Sequence, residues 1–110
     1  MANRSPSVAA RQLENQINGI LRQADVYRLD QKQRTTVTNL SQNLVHIKTY
    51  TRDYELAETR EDQLRDAKRA KRWLEQAQKN LLAASQFDIF GAVDVAHLSA
   101  QIDQIIGDLK

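Results

Sequence analysis

Apolar residues recur in steps of three and four along most of this chain, a spacing that is typical of amphipathic helices. Ser5 and Pro6 stand where an N-cap and a first helical residue would. We therefore predict a first helix over about residues 6–24, with Gly19 on its polar side. Its apolar stripe consists of Leu13, Ile17, Ile20, Leu21 and Ala24.

A second stripe predicts a longer helix over about residues 31–57, after a short connection at 25–29. Asp30 can cap this helix together with Gln33, three residues further on. Its alternating steps resemble a heptad repeat, the spacing used by helices that pack side by side. The seam consists of Val37, Leu40, Leu44, Ile47, Thr51 and Tyr54.

The third stripe is out of phase with the second. Continuing the second seam would require apolar residues where Glu58, Glu61 and Arg65 stand. Thr59, followed by a carboxylate three residues later, can cap a new helix. We therefore predict a turn at residues 58–60 and a third helix over about 60–85. Its seam is rich in alanine: Ala67, Ala70, Leu74, Ala77, Leu81 and Ala84.

The alternative is one continuous helix from Gln31 to Ser85. The sequence has no glycine or proline between Ile20 and Phe90 that would interrupt it. Such a rod would be about 80 Å long at 1.5 Å per residue. It could not bury its own seam, so it would require helices 2 and 3 of several chains to intertwine in an oligomer.

A last stripe predicts a fourth helix over about residues 90–107, with Gly107 as its C-cap. Phe87, Ile89 and Phe90 stand at its entry, either plugging the bundle or exposed. Four amphipathic helices with short connections predict an all-α, antiparallel up-down-up-down four-helix bundle. We expect a single domain over residues 1–110, with 1–5 disordered. The fourth stripe consists of Val95, Leu98, Ile102, Ile105, Ile106 and Leu109.

Composition excludes several classes of protein. The 110 residues include no cysteine, which excludes disulfides and thiolate metal sites. The longest apolar run, Leu81–Ala84, is far shorter than the roughly 20 residues that cross a membrane. No apolar signal segment follows Met1. We expect a cytoplasmic protein.

Charge is small in total but uneven along the chain. The net charge is +2, made of +4 over residues 1–49, +1 over 50–85 and −3 over 86–110. Helix 3 carries a cationic face, Arg65, Lys68, Arg69 and Arg72, beside Trp73. Such a face can contact phosphates while a tryptophan stacks on a base.

Acidic residues on the same turns of helix 3 favour a simpler interpretation of that face. Glu61 or Asp62 can pair with Arg65, and Asp66 can pair with Arg69. A helix face with alternating charges is usually only solvated. Nucleic-acid binders also tend to have a larger positive excess than this chain has.

Catalytic and metal motifs are absent from the sequence. Asp94 and His97, three residues apart, could present two metal ligands, but two ligands do not make a site. Asp103 stands beside an apolar stripe, where a boundary carboxylate is the ordinary interpretation. No Gly-rich phosphate loop, Gly-x-Ser-x-Gly or His-Glu-x-x-His is present. We expect no enzyme activity, no cofactor and no metal.

The leading hypothesis is a non-enzymatic protein-binding bundle, a small accessory, adaptor or immunity-type protein. The alanine-rich seam would admit a partner helix or a second copy of the chain through Ala67, Ala70, Trp73, Leu74 and Ala77. The alternative is a nucleic-acid-binding protein that uses the cationic face of helix 3. The helix layout is similar to unrelated small bundles such as immunity proteins and secretion chaperones, a likeness of fold alone.

Overall fold

Four α-helices make up the part of the chain that the computed structural model describes, residues 5–23, 28–87 and 90–109. They are α1 (Pro6–Gln23), α2 (Gln31–Leu56), α3 (Arg60–Ala84) and α4 (Ala92–Asp108). These bounds agree with the predicted helices to within two residues wherever both ends are described. The predictions for residues 1–4, 24–27, 88, 89 and 110 lie outside the described residues.

Local side-chain caps start the two long helices where the sequence predicts. Asp30 accepts a hydrogen bond from the Gln33 backbone N–H at 2.8 Å, and the Gln33 side chain accepts from the Asp30 backbone N–H at 3.1 Å. This reciprocal pair is the predicted capping box of α2. Thr59 caps α3, since its hydroxyl accepts from the Asp62 backbone N–H at 3.1 Å.

The chain reverses between α2 and α3, so the continuous-helix alternative is wrong. Ala57 and Thr59 both have extended backbone, with ψ of 130° and 154°. Two extended residues within three positions end one helix and permit a new direction for the next. The reversal therefore needs neither glycine nor proline.

Contacts between side chains set the order and direction of the helices. Glu14 of α1 pairs with Lys48 of α2, Asn43 of α2 receives a hydrogen bond from Asn80 of α3, and Gln78 of α3 donates to Asp103 of α4. Each neighbour runs opposite to the one before it, and α1 also packs against α4. The predicted antiparallel up-down-up-down bundle is confirmed.

The predicted seams form the core. The α2 and α3 seams are buried over their whole length except Tyr54, which is half-buried. Thr51 is a polar residue in this core, and its hydroxyl donates to the Ile47 carbonyl oxygen at 2.7 Å, which removes the cost of burying it. Buried side chains from α1 and α4 complete the interior: Ala9, Ala10, Leu13, Ile17, Val95, Leu98, Ile102 and Ile105.

The ends of α4 resolve one open question and correct one prediction. Phe90 is buried and Phe87 packs partly buried against the core, so the aromatic residues before α4 plug the bundle. Gly107 is not a C-cap, because α4 continues through it to Asp108 and no glycine in the described residues has a positive φ. Leu109 turns into the core instead and ends the helix. None of the helices described is long and apolar enough to cross a membrane.

Candidate functional site

The alanine-rich seam of α3 faces the inside of the bundle. Ala67, Ala70, Leu74 and Ala77 are each at most 2% exposed and belong to the hydrophobic core. Small residues there let α2 approach α3 closely, which explains why this pair packs most extensively. A partner helix cannot reach these four residues in the closed bundle, so the predicted docking seam is corrected to an internal one. Trp73 alone remains partly at the surface.

The outer surface of α3 carries a shallow depression lined entirely by side chains of one helix. We call it the cationic groove, and its positive residues are Arg65, Lys68, Arg69, Lys71 and Arg72. The four predicted basic residues lie on the surface of α3 that faces away from the seam. Lys71 extends the groove toward α4. Glu75 closes the far end. The groove therefore contains the four residues of the predicted cationic face together with their neighbour Lys71.

Ion pairs neutralise only one end of this groove. Arg65 lies 3.2 Å from Asp62 and 4.0 Å from the buried carboxylate of Asp66. The first is a predicted pair, whereas Asp66 approaches Arg65 rather than Arg69. Within residues 5–23, 28–87 and 90–109, the ion pairs found include none for Lys68, Lys71 or Arg72.

A row of aromatic rings lies along the α2–α3 edge of the groove, and we call it the aromatic row: Tyr50, His46 and Trp73. His46 stacks on Trp73 with ring centroids 4.2 Å apart and an interplanar angle of 18°. It also lies parallel to Tyr50, with centroids 6.4 Å apart. Arg69 sits over the Tyr50 ring at 5.8 Å, close enough for a cation–π contact.

The aromatic row limits what Trp73 can do. One ring face of Trp73 is covered by His46, so that face cannot stack on a nucleic-acid base. The contact between His46 and Trp73 joins two helices, and the sequence did not predict it. The only signal was the four-residue spacing of His46 with Tyr50 and of Arg69 with Trp73, which places each pair on one helix face.

The second predicted cluster, Asp94 and His97, lies in a groove between α1 and α4. Both side chains are exposed and line this groove with residues of α1, among them Gly19. His97 also approaches the Gln101 amide nitrogen at 3.4 Å. Among the described residues, no three His, Asp or Glu side chains lie together in a way that could hold a metal ion.

Asp103, the carboxylate nearest an apolar stripe, has a structural role. It is exposed, and it accepts a hydrogen bond from the Gln78 amide at 3.0 Å. The same amide donates to the Ser99 hydroxyl at 2.9 Å. These bonds place Gln78 of α3 opposite Ser99 and Asp103 of α4.

A polar cluster that the sequence did not reveal joins the start of α1 to the end of α2. Glu55 accepts hydrogen bonds from the hydroxyl of Ser5 and, at 2.6 Å, from that of Ser7. It also accepts from the Ser7 backbone N–H at 3.0 Å, which gives α1 a carboxylate cap supplied by another helix. Burial raises the pKa of Glu55, but the hydrogen bonds from Ser5 and Ser7 outweigh it and hold the pKa below its ordinary value.

Comparison with known proteins finds no relative. No family model matches the chain, and no curated protein or solved structure matches it either. Function is therefore inferred from the chemistry of the site.

Proposed function

We propose that this chain is a non-enzymatic protein-binding module, an accessory or adaptor protein, and that its cationic groove binds an acidic segment of a partner protein. One observation carries the proposal. Lys68, Lys71 and Arg72 stand together on the outer face of α3, and the ion pairs found among the described residues neutralise none of them. Uncompensated like charges on one face raise the local potential and attract an oppositely charged partner.

Three features favour an acidic protein over nucleic acid as the ligand. The groove spans about three turns of one helix, roughly 15 Å between its end residues, which is short for a phosphate-tracking surface. Carboxylates interrupt it, since Glu75 lines one end and Asp62 neutralises Arg65 at the other. One ring face of Trp73 is stacked on His46 and is closed to a base. A phosphate backbone carries regularly spaced charges, some of which would meet these carboxylates. An acidic peptide can place its carboxylates opposite the cations alone.

Nucleic acid remains the alternative ligand because Arg65, Lys68, Arg69 and Arg72 share one helix surface with an aromatic neighbour. Phosphate binding would show a steep loss of affinity with salt and little dependence on base sequence. An acidic peptide also weakens with salt. The two proposals are separated by comparing ligands of matched charge.

The test measures binding of two fluorescent probes by anisotropy across a salt series. One probe is an oligo-glutamate peptide of roughly 12 residues, and the other is a single-stranded oligonucleotide of the same charge. We expect the peptide to bind at low salt at least as tightly as the oligonucleotide. Reversing two exposed cations, Lys68→Glu with Arg72→Glu, should weaken peptide binding about tenfold, because exposed ion pairs contribute roughly 0.2–1 kcal/mol each and reversal adds repulsion.

Lys79→Glu is the matched control. Lys79 is an exposed cation of the same helix, one heptad beyond Arg72, and does not line the groove. It changes the net charge by the same amount per substitution, so it should alter affinity far less. Equal losses for both variants would mean that only net charge matters, and a strong preference for the oligonucleotide would favour the alternative function.

Location and assembly belong to the same proposal. The sequence has no cysteine and so forms no disulfide, which fits a protein of the reducing cytoplasm. Burial of the alanine-rich seam removes the motive for a homodimer through that face.

A further inference from the structure

The described α4 ends at Asp108, level with the middle of α3. Gln78 bonds to Ser99 and Asp103 of α4, and the short connection between Ala84 and Ala92 returns the chain in the opposite direction along α3. Moving one heptad from Gln78 toward the start of α3 reaches Lys71, which lies level with the end of α4 at Asp108. Leu64, one heptad further, lies beyond that end.

The heptad step is justified by the seam itself. Buried residues of α3 alternate in steps of three and four from Ala67 to Ala84, so positions seven apart keep the same relation to neighbouring helices. Leu64, Lys71 and Gln78 therefore share the side of α3 on which α4 packs. Leu64 has no residue of α4 opposite it, and its side chain is 48% exposed.

Two lysines border this uncovered side on the turns after Leu64, and the exposed Glu61 lies one turn before it. Lys68 and Lys71 follow Leu64 at four and seven residues, and both belong to the cationic groove. A large apolar side chain with two flanking lysines fits a ligand that offers an apolar residue between carboxylates. We call this surface, Leu64, Lys68 and Lys71, the α3 extension.

The helix that already covers this side of α3 indicates the kind of ligand that fits. α4 is amphipathic, and its sequence contains Asp94, Asp103 and Asp108 but no lysine or arginine. An acidic helix is thus the native occupant of the same face one heptad away. We infer that the partner segment is an acidic amphipathic helix that docks on the α3 extension in line with α4. This inference rests on the proposed function and adds the form and position of the ligand.

A second copy of this chain fits the surface less well. Two α3 extensions brought together would oppose Lys68 and Lys71 with the same residues, and like charges at close range repel. The α4 of a second copy is already packed on its own α3. An acidic partner meets neither obstacle.

The experiment compares two peptides of roughly 14 residues, four helical turns, that have identical glutamate, alanine and leucine content. In one, leucines recur at heptad positions, and in the other the order is scrambled. We expect the patterned peptide to bind the intact protein about tenfold more tightly, as burial of one leucine allows. Leu64→Ser should remove that advantage, and amide NMR shifts on binding should centre on Leu64 and Lys71.

Leu82→Ser is the matched control, because Leu82 is an exposed leucine of the same helix, 55% exposed, outside the α3 extension. It should leave the preference for the patterned peptide intact. Circular dichroism checks that each variant folds, and Leu64→Gln replaces Leu64→Ser if the serine variant does not.

The outcomes separate this inference from the proposed function. If neither peptide binds at low salt, the proposed function fails. If both bind equally and Leu64→Ser changes neither affinity, the cationic groove binds acidic ligands but the α3 extension does not select a helix. A dimer seen by sedimentation without peptide, and dissolved by Leu64→Ser, would assign the surface to a second copy and overturn the inference.

Discussion

Thr59 tests how the chain reverses without glycine or proline. Thr59→Ala removes the hydroxyl that accepts the Asp62 backbone N–H at 3.1 Å and leaves that N–H without its cap. Loss of an N-cap costs about 1 kcal/mol, within a range of roughly 0.5–2. The higher helix propensity of alanine offers no compensation, because residue 59 has φ of −120° and ψ of 154°, outside the helix.

For the Thr59→Ala variant, a continuous α2–α3 helix should remain less stable than the hairpin. It would expose the α2 and α3 seams, whose large buried side chains stabilise the bundle by about 1.5–3 kcal/mol each. Leu44, Ile47, Leu74 and Leu81 are all at most 2% exposed. Their summed burial exceeds the loss of one cap several-fold, so the variant should keep the hairpin and remain monomeric.

The assay is urea unfolding, followed by circular dichroism and by the fluorescence of Trp73, the one tryptophan of the sequence. In urea, the unfolding free energy should fall by about 1 kcal/mol with an unchanged m-value. In a thermal scan, the same loss corresponds to a fall of about 4 °C in Tm. Thr59→Ser and Thr59→Asp, which keep a cap acceptor, should retain most of the stability. Thr38→Ala, at an exposed position inside α2, controls for the threonine-to-alanine change and should be neutral or slightly stabilising.

Two results would refute this account of the turn. An unchanged unfolding free energy for Thr59→Ala would show that the cap contributes nothing. A stabilised variant that sediments as a dimer would show that the hairpin is held by that hydroxyl alone, and that the intertwined helix competes closely with the bundle.

Two further predictions concern the helix interior and pH. Gly19→Ala should raise the unfolding free energy by about 0.5–1 kcal/mol in the same urea assay, because a Cβ there meets no atom within 4 Å and the glycine lies inside α1. Gly91→Ala, at the N-cap of α4, should instead lower it slightly, and equal signs for the two variants would contradict the reasoning. The lowered pKa of Glu55 means that the folded chain releases this proton more readily than the unfolded one, so its contribution is present above the ordinary pKa of 4.5 and lost as pH falls through the folded value. Glu55→Gln should therefore unfold at lower urea than the natural chain at pH 7 and alike once the pH has fallen below the folded pKa of Glu55, whereas a pH-independent difference would exclude a role for the carboxylate charge.

Much of the fold could be predicted from the sequence because the signals are local. Capping of α2 by Asp30 and of α3 by Thr59 depends on residues three positions apart. The phase change between the two seams located the turn, since a seam that leaves its phase cannot stay buried against the same neighbour. The prediction that Gly107 is the C-cap of α4 was wrong because Leu109 ends the helix by packing into the core.

The candidate site was predicted only in its charged part. A cationic face follows from helical spacing, so Arg65, Lys68, Arg69 and Arg72 could be grouped without a structure. The lack of an ion pair at Lys68 and Arg72 among the described residues could not be predicted, because whether a possible pair along a helix forms depends on the side-chain rotamers in the folded surface. The contact of His46 with Trp73 joins residues on different helices, and spacing within either helix carries no information about it.

The sequence by itself determined that this chain forms four amphipathic helices, where three of its helices begin, and which residues of each are apolar. Only the tertiary structure decided what those faces touch: the alanine-rich seam meets α2 rather than a partner, Glu55 caps α1, and α4 stops short of Leu64. The reason is physical. Backbone hydrogen bonding and capping act within a few residues, whereas the choice among apolar faces is made by close packing between helices that are distant in sequence.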